Sequence, residues 1–298
     1  MESRGCKSNP VSEEAIKIES LPKVTEPVLI AGFEGWGNAL DMSHGMVSYL
    51  IRTLKAKFFA KINSDLFYRY DDNRPFVNIE GGFMKSLSPP GGAFYGVRNF
   101  PQGRDLIILR ASEPNLRWHG FVQEMLSLSI RLGVKMVITL GGMYDKVLHS
   151  DTIISATASD EELLSALTAK NLIPISYQGP SAIHSLIHLE AQKMGFQSIS
   201  LWCHCPYYLQ GTTHFGLMSE LGGLLSSLGG FALNTDELQA TWGELGRQIE
   251  ALIEKNPELQ SMIAQLRKEK VRGSWANIKE AVRRENKVIH IEDFLKPK

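Results

Sequence analysis

Short apolar runs, each followed by a polar glycine-rich turn and then an amphipathic stretch, recur through most of this chain. Residues 27–33 (PVLIAGF) lead into the turn EGWGN and then into ALDMSHGMVSYLIRTL, ending at Leu54. The unit returns at Asp105 as DLIILR, ASEPN and LRWHGFVQEMLSLSIRLG. Unbroken apolar runs of this length read as strands buried on both faces. In the stretch that follows the second run, Val122, Met125, Leu126 and Ser129 share one face at helical spacing. The same reading predicts strands at 57–70, 76–80, 105–110, 134–140, 152–157, 172–177 and 197–203, and helices at 115–132, 160–170, 181–194 and 214–228. DDNRP divides the first two of these strands, and the prolines and glycines of SLSPPGG (86–92) read as a loop. After 134–140 a Gly141-Gly142 turn leads into MYDKVLHS instead of directly into a helix. Strands alternating with helices predict a largely parallel sheet covered on both faces, with any ligand site beyond the carboxyl ends of its strands.

The pattern also divides the chain. Residues 1–24 are polar and of mixed charge, a flexible lead-in, and 25–232 hold the alternating α/β unit. Beyond Gly229-Gly230 the signal is purely helical, so 233–285 read as a helical extension that packs on the main unit or on another subunit. Its first helix opens on Asn-Thr-Asp-Glu and carries Leu238, Trp242, Leu245, Ile249, Leu252 and Ile253. A second opens at Asn256-Pro257-Glu258, with Pro at the first helical position and Leu259, Met262, Ile263 and Leu266 on its apolar face. Residues 286–298 form a charged tail.

Composition narrows the classes. The 298 residues are 43% apolar, enough for a sizeable core, and the 32 basic and 32 acidic side chains cancel. A balanced charge offers no general basic face, so nucleic acid is not an expected partner. The odd set Cys6, Cys203 and Cys205 argues against a disulfide framework. No run approaches a membrane span and the first twenty residues lack the apolar core of a signal peptide, so a cytoplasmic location is expected.

The polar turns hold the candidate chemistry. Gly32, Gly35 and Gly37 allow a tight first turn that aims backbone N–H groups at an anion on the helix N-terminus. The alternative is a plain strand-to-helix turn closed by Asn38 as a cap. The glycine spacing fits neither the dinucleotide fingerprint nor a P-loop. In the second turn Glu113 is a candidate base, with Arg110 or Arg117 as an oxyanion clamp; equally, Glu113 and Asn115 cap the following helix. His149, Ser150 and Asp151, near Asp145, invite a triad reading, but neighbours in an extended segment point in alternating directions. Gly141-Gly142 reads better as a close backbone approach to a ligand or a neighbouring segment. His184 and His188 lie at i and i+4, and with Cys203, His204, Cys205 and His214 they make a metal set on paper; buried free cysteine is the plainer reading, and neither metal nor cofactor is expected. Trp36, Trp118, Tyr144, Tyr207 and Tyr208 supply aromatic surface for a pocket or an interface.

Four runs together resemble the proteasome-assembly-chaperone-2 family: GFEGWGNALDMSHGMVSYL (32–50), SEPNLRWHGFVQEML (112–126), VITLGGMYDKVLHS (137–150) and YQGPSAIHSLIHLEAQKMGFQSISLWCHCPYY (177–208). Residues 234–266 look like the helical tail of the family's prokaryotic branch. The resemblance implies a three-layer α/β/α sandwich similar to nucleoside phosphorylases and hydrolases, and it implies no established reaction. Two features depart from the pattern. An Asp-containing turn is common after the first strand in the family, where this chain has Glu34-Gly35-Trp36-Gly37-Asn38. Eukaryotic members can dock through a tail with an aromatic residue next to last, where this chain has Pro297. The function implied is protein–protein interaction or assembly by a homo-oligomer, with residues 234–268 contributing to self-association. The alternative is a small-molecule binder, or a hydrolase or transferase, in which Glu34, Asn38, Glu113, Arg117 and His204 surround one ligand and the backbone of Gly35, Gly37, Gly141 and Gly142 holds it.

Overall fold

The computed structural model describes residues 14–99 and 103–271, with side chains described to 268; Cys6, the tail 286–298 and the remainder of the expected extension lie outside the described residues. In chain order the strands are β1 (Ile16–Ile18), β2 (Val28–Glu34), β3 (Lys57–Ile62), β4 (Phe76–Glu80), β5 (Phe83–Ser88), β6 (Gly92–Val97), β7 (Leu106–Ser112), β8 (Met136–Asp145), β9 (Ile154–Ala158), β10 (Ile173–Pro174) and β11 (Gln197–Pro206). The helices are α1 (Met42–Thr53), α2 (Ser64–Phe67), α3 (Trp118–Arg131), α4 (Glu161–Thr168), α5 (Ile183–Lys193), α6 (Phe215–Gly229), α7 (Asp236–Lys255) and α8 (Pro257–Val271). Nine strands form one sheet in the order β1-β3-β6-β7-β2-β8-β11-β9-β10. Its centre, β7-β2-β8-β11, is parallel, and β1-β3-β6 joins it antiparallel through β6. At the other side β9 runs antiparallel to β11.

The buried run of β2 explains the two cores. Alternate side chains leave opposite faces of a strand. Val28 and Ile30 join Met42, Met46, Val47 and Leu50 of α1 and Leu217, Leu221 and Leu225 of α6. Leu29, Ala31 and Phe33 join Phe121, Val122 and Met125 of α3 and Ile183 and Ile187 of α5. Helices therefore cover both faces of the sheet, and β2 has no polar face because neither face meets water.

Several boundaries differ from those read in the sequence, each for a local reason. Strand 57–70 stops at Ile62, because Asn63 accepts from Asp65 N (3.2 Å) and starts α2. The 86–92 loop shrinks to 89–91: pairing continues to Ser88 on one side and resumes at Gly92 on the other, so only Pro89-Pro90-Gly91 interrupt it. Gly141-Gly142 is not a turn. β8 runs through both glycines to Asp145, held in unbroken parallel register by β11 from Met136↔Gln197 to Asp145↔Pro206. Within the lead-in, Ile16 is buried and β1 pairs with β3 at the sheet edge. The helix after 112 begins at Trp118, because Arg117 adopts a left-handed conformation (φ 53°).

The two helices beyond Gly230 pack on their own chain. Trp242 of α7 stacks on the His214 ring, 4.0 Å between centroids and 19° from parallel, and crosses α6 where Gly216 has no side chain to obstruct it. Leu238, Ile249, Ile263 and Leu266 extend the larger core. Asn256 Oδ1 accepts from the N–H groups of Glu258 and Leu259, so a new helix starts at Pro257.

Candidate functional site

The carboxyl ends of β2, β7, β8 and β11 gather most of the candidate residues. The turn after β2 is drawn over the sheet. Gly142 N donates to Gly37 O at 2.7 Å, and Asn38 forms a bridge with Gly142. A Cβ on Gly142 would stand 2.7 Å from Ala39 O, and one on Gly141 would stand 2.6 Å from Cε3 of the Trp202 indole. The pair of glycines thus serves a close approach to neighbouring segments of the same chain. Trp202 lies against Gly37, Gly141 and His184, its ring centroid 4.9 Å from the imidazole.

Asn38 closes the turn. Its Oδ1 accepts from the N–H groups of Ser43 (2.9 Å) and His44 (3.0 Å), and its Nδ2 donates to Asp41 Oδ1 (3.0 Å). One amide therefore caps α1 from five residues away, across a 3-10 turn in which Leu40 (φ 48°) and Asp41 (φ 58°) are both left-handed. Such a turn needs outside support, because the left-handed region is disfavoured for residues with a Cβ.

Glu113 also makes contacts that the sequence did not disclose. Its N–H donates to Glu34 O (2.7 Å). Its Oε1 accepts from Ile183 N (2.8 Å), at the start of α5, and its Oε2 from Trp36 N (3.3 Å). The carboxylate therefore caps α5, seventy residues on, not the helix of its own turn, and it fills the space above Gly35 (φ 141°). A negative charge is favoured at a helix N-terminus. The two N–H groups that would greet an external anion are occupied by this side chain. Glu34 accepts from Ser112 Oγ (3.3 Å), and Arg117, at the start of α3, is exposed. Asn115 Oδ1 accepts from Arg69 N, fastening the α2 segment to the second turn. Replacing Glu113 by Ala is expected to destabilise the fold by about 1–3 kcal/mol, the range for losing a charged hydrogen-bond partner. Glu113→Gln, which keeps one acceptor, should retain part of that. Urea unfolding of the two variants checks the difference.

His204 stands beside this group. Its Nδ1 donates to Asp145 Oδ2 at 2.7 Å, and its Nε2 accepts from Ser155 Oγ at 2.9 Å. Strand pairing explains the meeting: Asp145 ends β8, His204 is two residues short of the end of β11, and Ser155 of β9 lies opposite Trp202. Carboxylate, imidazole and hydroxyl are linked in the order of a hydrolytic triad. Ser155 is a buried residue, 2% exposed, so the nucleophile position is closed to a substrate. In this arrangement the three residues tie the ends of three strands together. Asp145 and His204 were visible as candidates; Ser155 was not, because only the antiparallel return of β9 brings it there. His149 turns instead to Tyr208, with its N–H and Nδ1 2.7 and 2.8 Å from the phenol oxygen.

The proposed histidine and cysteine set is dispersed. His188 Nδ1 meets Ser198 Oγ, while His184 Nε2 donates to Leu140 O. Cys203 and Cys205 are buried free thiols, and burial pushes the Cys203 thiol up to about 12, far from a metal-binding thiolate. Among the described residues no three His, Cys, Asp or Glu side chains are grouped to hold a metal ion. His184 Nδ1 is the one buried side-chain nitrogen or oxygen without a partner among the described residues, and desolvation lowers this imidazole to about 4.

The architecture and its turns correspond to a known family, whose model, the PAC2 family, matches residues 29–253. The chain belongs to the PAC2 family. Among solved structures, a PAC2 family protein from Streptomyces avermitilis is 27% identical, with a TM-score of 0.72 over 80% of this chain and 99% of that one. A proteasome-assembly chaperone homologue from Mycobacterium tuberculosis is 24% identical, with a TM-score of 0.70 over 79% of this chain and 99% of the other. An archaeal proteasome activator from Pyrococcus furiosus is 19% identical, with a TM-score of 0.61 over 80% of this chain and 97% of its own. The last two likenesses concern the fold. No curated protein matches the chain. No helix among the described residues of this PAC2 protein is long and apolar enough to cross a membrane.

Proposed function

We propose that this PAC2 protein works by binding protein chains during assembly, in the manner of an assembly chaperone. The observation that carries this reading is the hairpin β4–β5. It forms a two-stranded sheet apart from the nine-stranded one, and Phe76, Val77, Ile79, Phe83, Met84 and Leu87 on it are all exposed. Apolar surface concentrated in one place on a folded protein marks contact with another macromolecule. The names of the mycobacterial and archaeal structural neighbours, a proteasome-assembly chaperone homologue and a proteasome activator, support an assembly role in general terms. The finer architecture, a three-layer sandwich like that of phosphorylases and hydrolases, and a cytoplasmic location belong to the same reading. The strand-end mouth supports a small-molecule role less well, since Glu113 occupies the N–H groups of Trp36 and Ile183.

Native mass spectrometry of the protein isolated gently from its own cells tests the proposal. Protein chains bound at a fixed stoichiometry, of either the same or a different sequence, are the expected result. A bare monomer that retains a small molecule would overturn it.

A further inference from the structure

At its β1–β3–β6 side the sheet has one buried face and one open face. Ile16, Phe59, Ala60, Ile62 and Phe94 turn into the core shared with α3. Residues paired across strands share a face. The register therefore lays Lys17, Lys61, Ala93 and Arg110 in one row across β1, β3, β6 and β7, on the other face. Phe58 and Tyr95 pair in a row beside it. The irregularity at Phe59 arranges this: Phe59 and Ala60 both turn inward, and Lys61 returns to the open face. Lys17, Phe58 and Lys61 are exposed, and Tyr95 and Arg110 are half-buried.

The row is built against local stability. Lys17 and Lys61 stand directly opposite each other, and like charges so placed are destabilising. Among the described residues neither lysine meets a carboxylate within ion-pair distance. A lysine on β1 is enough to guard the sheet edge, whereas Lys61 and Arg110 lie on inner strands. Arg110 is held in position: its Cζ is 5.6 Å from the centroid of the Tyr95 ring, and its Nη2 donates to the Tyr95 hydroxyl oxygen (3.3 Å). Such a guanidinium presents a planar fork that matches a carboxylate. Phe58 meets the same ring edge-on, 6.0 Å between centroids. Glu34, which shares this face at the end of β2, accepts from Ser112 Oγ and bounds the basic row on that side.

We infer that this open face receives an extended acidic segment of a partner protein, its carboxylates on Arg110, Lys61 and Lys17 and an apolar side chain on Phe58. Charge complementarity selects the class, since three cations share the row and the two lysines have no internal counter-charge. Spacing selects the form. Neighbouring strands lie ~4.8 Å apart, so the row from Arg110 to Lys17 spans roughly 14 Å. A peptide laid across the strands rises ~3.3 Å per residue and turns alternate side chains to one face, so acidic residues at i, i+2 and i+4 cover the row. The 32 basic and 32 acidic side chains of the whole chain leave no broad basic surface around it, which favours a protein segment over nucleic acid. This inference rests on the protein-binding reading above and gives the chemistry of one partner surface.

Fluorescence anisotropy of the full chain with a labelled Glu-Val-Glu-Val-Glu peptide, its Gln-for-Glu counterpart and labelled oligothymidine tests it. The Glu peptide should bind, the Gln peptide should bind about 10-fold more weakly, and added salt should weaken the first. Lys61→Glu should also cost about 10-fold in affinity. It replaces a like-charged pair by an opposite one at an exposed position, so its melting temperature should be no lower than that of the wild type. A lysine with a merely structural role would not give weaker binding on an equally firm fold. No binding of the Glu peptide, equal binding of the Gln peptide or by the variant, or tighter binding of oligothymidine overturns the inference. Native mass spectrometry of wild type and Lys61→Glu isolated from their own cells separates the two levels. Protein chains carried by the wild type and lost from the variant support the inference. The same chains on both overturn it and leave the protein-binding reading standing, and no protein chain on either removes both.

Discussion

Between pH 6.5 and pH 4 this protein is expected to lose a substantial part of its stability, through two histidines buried in the neutral form. His184 and His214 are each lowered to about 4, in both cases chiefly by desolvation. Unfolded, each returns to about 6.5. The folded-state value is the lower one, so the unfolded chain binds more protons across this window and stability falls as the pH falls. The contribution is complete above about pH 6.5, shrinks through the interval and is gone below about pH 4. At about 1.4 kcal/mol per unit, each histidine removes roughly 3 kcal/mol. Together that is about 6 kcal/mol, a large share of the 5–15 kcal/mol that is the whole stability of a typical domain. Geometry agrees with the direction. His214 Nδ1 accepts from Leu217 N (3.1 Å) while Nε2 donates to His149 O (3.0 Å), so a second proton would face an N–H and break the cap of α6. Trp242 of α7 stacks on the same ring, so loss of the cap would also loosen α7. His149 and His188, also lowered by burial, act in the same direction. Urea midpoints measured from pH 7.5 to pH 4.5 should fall steeply. In His214→Asn the slope should be nearly halved. A midpoint that hardly moves above pH 4.5 would show that these imidazoles are not held neutral.

The α/β order and most helices were legible because they depend on local pattern. β2, β7, β8 and β11 are apolar runs buried on both faces, and α1, α3 and α6 carry apolar stripes. What escaped were contacts joining distant segments. Nothing around Glu113 says that its carboxylate will cap a helix beginning at Ile183, since that depends on β2, β7 and β8 lying side by side. Ser155 met His204 because β9 turns back antiparallel, and no turn signal in 146–153 announces that. Gly141-Gly142 looked like a turn because glycine marks both turns and close packing. Only the presence of Trp202 and Ala39 above the pair decides between them. The β4–β5 hairpin was half visible: 76–80 was read as a strand, but SLSPPGG concealed β5, because prolines at the end of a segment say little about the residues before them. Most of the residues that the sequence brought forward lie near the carboxyl ends of the strands. Their neighbours there are largely each other, through cap, bridge and hydrogen bond.

Two glycine substitutions should give opposite signs and thereby test how the first turn is held. Gly32 lies in β2 under α1. A Cβ there would collide with the backbone oxygen of Ser43 and stand 2.8 Å from both Val47 methyl carbons. Ser43 cannot withdraw. Its N–H is bound by Asn38 Oδ1, its Oγ donates to Leu140 O, and the same Oγ accepts from Phe33 N at 2.8 Å. One helix residue is thereby tied to β2, to β8 and to the turn, so the added methyl must push all three apart. Overpacking of this kind costs about 1–3 kcal/mol, and a backbone obstacle puts Gly32→Ala at the upper end. Gly223 is the counterpart. It is an exposed residue in the middle of α6 with nothing within 4 Å of a built Cβ. Gly223→Ala should stabilise the fold by about 0.5–1 kcal/mol, through helix propensity and a less flexible unfolded chain. Thermal melts of the two variants beside the wild type should bracket it. Equal melting temperatures for Gly32→Ala and the wild type would mean that α1 is free to slide on β2. The Ser43 clamp would then not be what fixes the Glu34–Asn38 turn over the sheet.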